Sequence, residues 1–216
     1  MAKNRFSKAW IQRHVNDPYV QRARAEGMRS RAAYKLTEIN EKDRLLRPGM
    51  VVVDLGAAPG GWSQVAAKAV APGGRVIAID LLDMADLHGV QFIKQDFSTD
   101  AGLATLENEL GTMQVDLVLS DMVPNISGIA LADQMRLVGL VELALDFAAK
   151  HLKPKGIFLV KLFQGTGFDG FVKAMRAVFE SVETRKPDAS RRGSKEVYLL
   201  GKRLRRPSVQ QPGDRD

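Results

Sequence analysis

The stretch Asp54-Leu55-Gly56-Ala57-Ala58-Pro59-Gly60-Gly61-Trp62 decides the fold of this chain. It continues Met50-Val51-Val52-Val53, an apolar run that reads as a buried strand ending in an acid, and it precedes a helical pattern that starts near Trp62. Gly56 and Gly60, four positions apart, let the backbone turn tightly between the two. Strand, glycine turn and helix in that order cradle a nucleoside-bearing ligand at the carboxyl end of the first strand of an α/β sheet. The spacing narrows the choice of ligand. A dinucleotide fingerprint needs G-x-G-x-x-G, and Ala58 stands where its middle glycine belongs, so a pyrophosphate is denied close backbone approach.

Outward from this stretch, strand and helix patterns alternate, which predicts a largely parallel sheet with helices on both faces. Before it, Ser30 is a plausible N-cap for a helix reaching about Leu46, with Ala33, Leu36, Ile39 and Leu46 inward, ended by Arg47-Pro48-Gly49. After it come a helix over about 62–70, a strand from Arg75 to Asp80, a short strand near Val90 to Ile93 and a helix over about 101–110. A strand from Val115 to Ser120 follows, then a long helix over about 133–151, stopped by Lys153-Pro154-Lys155-Gly156. A strand from Ile157 to Phe163 and a helix over about 168–179 lead to Val182–Arg185 and Glu196–Leu200, read as a final antiparallel pair. Seven strands result. Residues 1–29 read as a basic arm containing a short helix, residues 30–203 as the domain, and the basic, then Pro/Gln/Asp-rich end from Lys202, at the latest from residue 204, as disordered.

At 216 residues and 45% apolar content, the chain suits one α/β domain with a real core. No apolar run approaches the ~18–20 residues of a membrane span, and the start has no apolar segment of a secretory signal. That start is arginine-rich, yet Asp17 and Glu26 argue against a mitochondrial transit peptide. Cysteine is absent, which excludes disulfides, thiolate metal sites and a cysteine nucleophile, and fits a reducing, cytoplasmic setting. His14, His88 and His151 are scattered, so no metal is expected. The net charge of +7 is uneven. Residues 1–35 carry net +7 and residues 185–206 carry net +7, whereas 36–184 carry net −6. Two basic segments bracketing an acidic body favour a polyanionic partner, nucleic acid above all.

The loop itself, Asp-x-Gly-x-x-x-Gly, resembles the S-adenosylmethionine loop of class I, Rossmann-like methyltransferases. An adenosyl ligand needs an acid at the end of the second strand for its ribose hydroxyls, and Asp80 lies 20 residues after Gly60. An acid after the third strand should meet the adenine amino group; Asp96 of Gln95-Asp96-Phe97 is the candidate, with Phe97 packing nearby. Gly60 to Trp62 should lie against the methionine moiety, although Trp62 also suits helix–sheet core, and Asp54 is read as orienting the loop.

Asp121-Met122-Val123-Pro124-Asn125 follows the fourth strand at the mouth of this site. Enzymes acting on exocyclic amines set an aromatic after a Pro-Pro pair there; a single proline followed by Asn125 disfavours such an acceptor and leaves a hydroxyl. A ribose 2′-hydroxyl is a weak nucleophile and needs a base. Lys161 interrupts the apolar strand Ile157–Phe163, where a lysine costs stability unless it is paired or functional. Asp121, Glu196 and Lys35 can converge on the same opening, and two lysines with two carboxylates form a nearly neutral cluster that tolerates burial. In this reading Lys161 deprotonates or orients the hydroxyl, Asp121 and Glu196 hold Lys161, and Lys35 positions the ribose or tunes the charge.

Together, Asp54–Trp62, Ser120–Asn125, Val160–Phe163, Ser194–Tyr198 and the segment Ser30–Leu36 resemble the FtsJ/RlmE family of RNA ribose 2′-O-methyltransferases over about residues 5–203. The resemblance implies a Lys-Asp-Lys-Glu tetrad at Lys35, Asp121, Lys161 and Glu196, and S-adenosylmethionine contacts at Gly60, Trp62, Asp80, Asp96 and Asp121. The short length is similar to that of bacterial members. This implies as target a uridine in the A loop of 23S ribosomal RNA within the assembled large subunit, gripped by the two basic segments, with the enzyme a monomer. Three alternatives stand beside it: 2′-O-methylation of transfer or another RNA, a non-catalytic ribosome assembly factor, and an NAD-dependent oxidoreductase, the last disfavoured by Ala58.

Overall fold

Each apolar run becomes a strand of one seven-stranded sheet. The structure, a computed structural model, describes residues 15–124, 128, 130–191 and 193–205. In chain order the elements are α1 (Pro18–Ala25), α2 (Ala32–Asp43), β1 (Val51–Leu55), α3 (Gly61–Val70), β2 (Arg75–Asp80), β3 (Val90–Lys94) and α4 (Asp100–Leu110). There follow β4 (Val115–Ser120), α5 (Ala130–His151), β5 (Leu152–Phe163), α6 (Phe168–Val178), β6 (Phe179–Arg185) and β7 (Glu196–Leu204). The strand order is β3-β2-β1-β4-β5-β7-β6. Only β7 runs against its neighbours, antiparallel to both β5 and β6. Mean connectivity therefore reverses between β1 and β4, which opens the crevice where ligands bind in such sheets.

Side chains alternate across the sheet with period two, and this divides the core. Val52, Val76, Leu117, Leu119, Leu159, Tyr198 and Leu200 pack with Leu36 and Ile39 of α2 and with Trp62, Ala66 and Val70 of α3. Val53, Ile77, Val118, Phe158, Val160 and Leu199 face the other way, onto α4, α5 and α6. Both faces are covered, so the central strands are apolar throughout.

Several boundaries differ from the sequence expectation. Helix α2 starts at Ala32 and stops at Asp43, short of Leu46. Ser30 gives only its backbone carbonyl to the amide of Ala33, and no side chain caps the helix. At the other end Arg44 turns left-handed, with φ of 51°, and the Asn40 side chain accepts the amide of Leu46. Lys153–Gly156 does follow the long helix, but as the irregular start of β5. Leu152 pairs with Val115, the register shifts before Leu117, and Lys153 bonds Asp116 at 2.7 Å. Strand β7 runs on to Leu204, so the disorder expected from Lys202 or from 204 does not begin there. Lys202 is held by Asp43 and Glu183, and the amide of Arg205 by the carbonyl of Val178. The rest of that tail lies outside the described residues, as do residues 1–14 of the arm.

The described part of the arm is docked. Asp17 caps α1 by accepting the amide of Tyr19, and Val20 and Ala23 are buried. Ala23, Tyr34 and Ala189 form a small cluster, joining the arm to the 186–195 segment. Glu38 strengthens the junction by accepting from the Tyr19 hydroxyl and the Ala189 amide. Among the described residues no helix is long and apolar enough to cross a membrane.

Candidate active site

Both loop glycines adopt the conformation that the turn demands, with φ of 77° at Gly56 and 103° at Gly60. Neither position has space for a side chain. A Cβ on Gly56 would stand 2.6 Å from Met122, and one on Gly60 would meet Met84 at 2.8 Å and Arg29 at 2.9 Å. Close approach is thus made by the protein's own side chains. Arg29 also ties the loop to the segment after β2, its guanidinium donating to the carbonyls of Pro59, Ala85 and Asp86.

Asp80 ends β2 and accepts the amide of Ala58 at 2.9 Å and that of Leu82 at 2.8 Å, which fixes its carboxylate against the loop. Asp96 lies beyond the next strand, and the Gln95 amide bonds the Asp80 carbonyl. One Asp96 oxygen accepts the amide and hydroxyl of Ser98, and Gly102 of α4 presses on its backbone. Phe97 points into the core and meets Phe147 edge-on at 5.8 Å. The Trp62 ring is core as well: 2% exposed, donating to the carbonyl of Ala32, and 5.6 Å from the ring of Tyr198. Its side chain fastens α2 to α3.

Asp54 is fully buried and accepts the Ser63 hydroxyl at 2.6 Å. Its other oxygen, like the buried hydroxyl of Ser120, has no hydrogen-bond partner among the described residues. Burial pushes the Asp54 carboxyl up to about 7 against the pull of Ser63, and the charges of Asp121 and Asp80 push it the same way. Three carboxylates from the ends of β1, β2 and β4 therefore act on one space. A cation such as a sulfonium suits it, and the orphaned atoms of Asp54 and Ser120 offer it polar partners.

This raised value has a consequence for stability. Between about pH 4 and 7 the native carboxyl keeps a proton that the unfolded chain, with an ordinary value of ~3.9, has lost. Asp54 therefore lowers stability progressively as pH rises through that window. Asp54→Asn should gain stability over the wild type in urea unfolding at pH 8 and gain little at pH 4; an equal difference at both values would contradict this.

On the other side of the crevice the strand register assembles the charged set. Lys161 pairs with Tyr198 and Phe163 with Glu196, so Lys161, Tyr198 and Glu196 share one face, under α2 and its Lys35. Lys161 is 4% exposed, and its Nζ donates to the carbonyl of Asp121 at 2.6 Å and to its carboxylate at 2.7 Å. Lys35 pairs with Glu196 at 2.7 Å. The Tyr198 hydroxyl stands 3.3 Å from each of the two carboxylates and joins the pairs. Glu196 also accepts the Ser190 hydroxyl at 2.9 Å. Burial raises the Glu196 carboxyl, but the charge of Lys35, hydrogen bonds from Lys35 and Ser190 and the charge of Lys161 together hold it below the usual carboxylate range. Burial beside two acids drives the Tyr198 phenol well above its ordinary value, so it stays protonated and donates.

All four expected residues thus gather in one place. One detail differs: Asp121 alone pairs with Lys161, while Glu196 bonds Lys35. Tyr198 and Ser190 escaped the sequence reading. Tyr198 was within reach, since it lies two residues after Glu196 on a period-two strand; Ser190 had no periodic signal. Asn125 lies outside the described residues.

A glycine turn after β1, strand-end acids on β2 and β4, and a buried lysine–carboxylate set at a topological switch point together define a class I methyltransferase. The chain belongs to the FtsJ-like methyltransferase family, whose sequence model it matches over residues 28–204. It is 63% identical over 205 residues to "Ribosomal RNA large subunit methyltransferase E" of Azoarcus sp. (strain BH72), covering 95% of this chain and all of that one. The protein of the same name from Dechloromonas aromatica (strain RCB) is 58% identical with the same coverage. Among solved structures, a Plasmodium falciparum protein assigned as a ribosomal RNA methyltransferase is 27% identical with a TM-score of 0.72, over 82% of this chain and 98% of that one.

Proposed function

We propose that this protein transfers a methyl group from S-adenosylmethionine to a ribose 2′-hydroxyl of large-subunit ribosomal RNA, at a uridine of the A loop in the assembled subunit. The observation that carries the reading is the buried Lys161–Asp121 pair bridged through Tyr198 to Lys35–Glu196, in a chain whose relatives are named ribosomal RNA large subunit methyltransferases.

The residues divide the work by position. Asp80 holds the ribose hydroxyls of the cofactor, Asp96 its adenine amino group, and the main chain of Gly60 to Trp62 its methionine moiety. Asp80 and Asp121 supply the negative field that favours binding of a sulfonium. When bound, the cofactor supplies an electrophilic methyl group. The Lys161 Nζ donates two hydrogen bonds to Asp121, through its carbonyl and its carboxylate, and its remaining tetrahedral position is left for the hydroxyl. Lys161 would take the hydroxyl proton as the ribose oxygen bonds to the methyl carbon and the carbon–sulfur bond of the sulfonium breaks. Glu196 fixes Lys35, which lies against the incoming ribose. Rigid placement of the hydroxyl is itself worth up to ~7–11 kcal/mol of barrier.

Radiolabelled methyl transfer tests this directly, with large subunits from cells that lack the modification as acceptor. The label is expected in ribosomal RNA, at one nucleotide whose 3′ linkage resists alkali. Label on a base, or acceptance by transfer RNA instead of the subunit, would refute the assignment.

A further inference from the structure

The chain between β2 and β3, residues 81–89, forms neither helix nor strand and leads directly on from Asp80. Leu81 and Leu82 are 55% and 65% exposed, two large apolar side chains left open beside the acid assigned to the cofactor ribose. A segment without ladder bonds of its own is held by what anchors it from outside. Met84 is buried with Ala57 and Ala78, and Asp83 pairs with Lys94 on the surface. A further anchor comes across the glycine loop. Arg29, half-buried between α1 and α2, donates to the carbonyl of Ala85 at 2.6 Å and to that of Asp86 at 2.5 Å. It reaches the carbonyl of Pro59 more weakly, at 3.4 Å. The stretch that bears Arg29 is fixed in turn. The Gln64 side chain on α3 accepts the Arg29 amide at 3.0 Å and donates to the Gly27 carbonyl at 3.0 Å. Gly60 and Gly61 have no space for a Cβ, because Met84 and Arg29 stand against the first and Ser30 against the second. Residues 27–30 therefore lie on the glycine loop and reach past it.

We infer that Arg29 is a positioning residue of the cofactor pocket: it fastens residues 81–86 to the glycine loop, so that the adenosyl side of the site is shaped before the ligand arrives. The inference rests on the S-adenosylmethionine reading above. It sets Arg29 apart from the other cations of the basic arm, because its donors are spent on main-chain carbonyls of its own chain. A guanidinium suits this task, since its planar fork serves two neighbouring carbonyls at once, whereas an ammonium is a point donor. Without the fork, residues 81–86 lose an anchor, and the ligand must order them as it binds. Affinity then falls by the cost of that ordering. The fastening acts through main-chain geometry, so S-adenosylmethionine and S-adenosylhomocysteine feel it equally.

Arg29→Ala should raise the calorimetric Kd for S-adenosylmethionine about tenfold or more, the scale of ordering one residue during binding rather than before it. S-adenosylhomocysteine should lose the same factor. KM for large ribosomal subunits, and kcat at saturating cofactor, should stay within about twofold of the wild type, a split that general loss of structure would not give. Arg29→Lys keeps the charge without the fork and should share most of the cofactor loss. In the ligand-free protein, amide hydrogen exchange at residues 81–88 should be faster in Arg29→Ala than in the wild type. Wild-type cofactor affinity in Arg29→Ala would overturn the inference, as would full recovery in Arg29→Lys. A raised KM for subunits with unchanged cofactor Kd would overturn it as well and return Arg29 to the RNA surface. If Arg29→Ala does not fold, Gln64→Ala decides: it frees the main chain of residues 27–29, keeps the guanidinium, and should weaken cofactor binding with subunit KM unchanged. A wild type that binds no S-adenosylmethionine refutes the cofactor reading alone, because the exchange comparison still decides whether Arg29 holds residues 81–88.

Discussion

Lys161→Ala is expected to lower methyl transfer by about a thousandfold, within the ~10²–10⁴ that a positioned base contributes. The change removes the nitrogen that faces the hydroxyl and leaves the Asp121 carboxylate without its partner. Cofactor binding should survive, since Asp80 and Asp96 are untouched. Lys161→Arg separates the two roles that one side chain combines. An arginine keeps the charge beside Asp121 but cannot release a proton under any working condition. If Lys161 acts as base, the arginine variant is as inactive as the alanine variant. Near-wild-type turnover in Lys161→Arg would assign the residue to alignment only, and near-wild-type turnover in a folded Lys161→Ala would remove it from the reaction.

The second large effect is on stability and lies away from the chemistry. Asp43, the last residue of α2, is 5% exposed at its side chain and accepts from Arg185 through both oxygens at 2.6 Å and from Lys202 at 3.1 Å. Glu183 completes the network from β6. It pins the end of the helix that carries Lys35 to the edge of the sheet. Asp43→Ala leaves a buried guanidinium short of its main partner, a loss of about 3–5 kcal/mol. At roughly 2–4 °C per kcal/mol for a chain of this size, Tm should fall by about 6–20 °C. The hydrogen bond from Arg185 outweighs burial, and with Lys202 it holds the Asp43 carboxyl below its usual value. Its contribution is therefore complete above the ordinary carboxylate value of ~3.9 and disappears as pH falls through the lowered native one. Wild type and variant should converge in stability in strong acid. A Tm loss of a degree or two at neutral pH would mean that the network is solvated.

How far each feature could be read depended on the range of the forces behind it. Strands β1, β2 and β4 are apolar runs bounded by Gly, Pro and Asp, and local sterics with burial leave them little choice. Boundaries were less legible where a distant partner sets them. The continuation of β7 to Leu204 depends on Asp43 and Glu183, which hold Lys202 from other elements. The early stop of α2 depends on Arg44 turning left-handed, which basic, polar neighbours do not announce. The docking of α1 on Ala189 joins segments more than 150 residues apart, and no local pattern encodes it.

By itself, the amino-acid sequence determined the α/β alternation, the glycine turn, and which charged residues stand at strand ends. Those features follow from backbone sterics and from a period of two or 3.6, both local properties of the chain. Only the tertiary structure decided the pairing: Asp121 with Lys161, Glu196 with Lys35, Tyr198 between them, and Trp62 turned into the core. Pairing is fixed by strand register and helix docking, where burial and long-range charge select among partners that the sequence leaves equivalent.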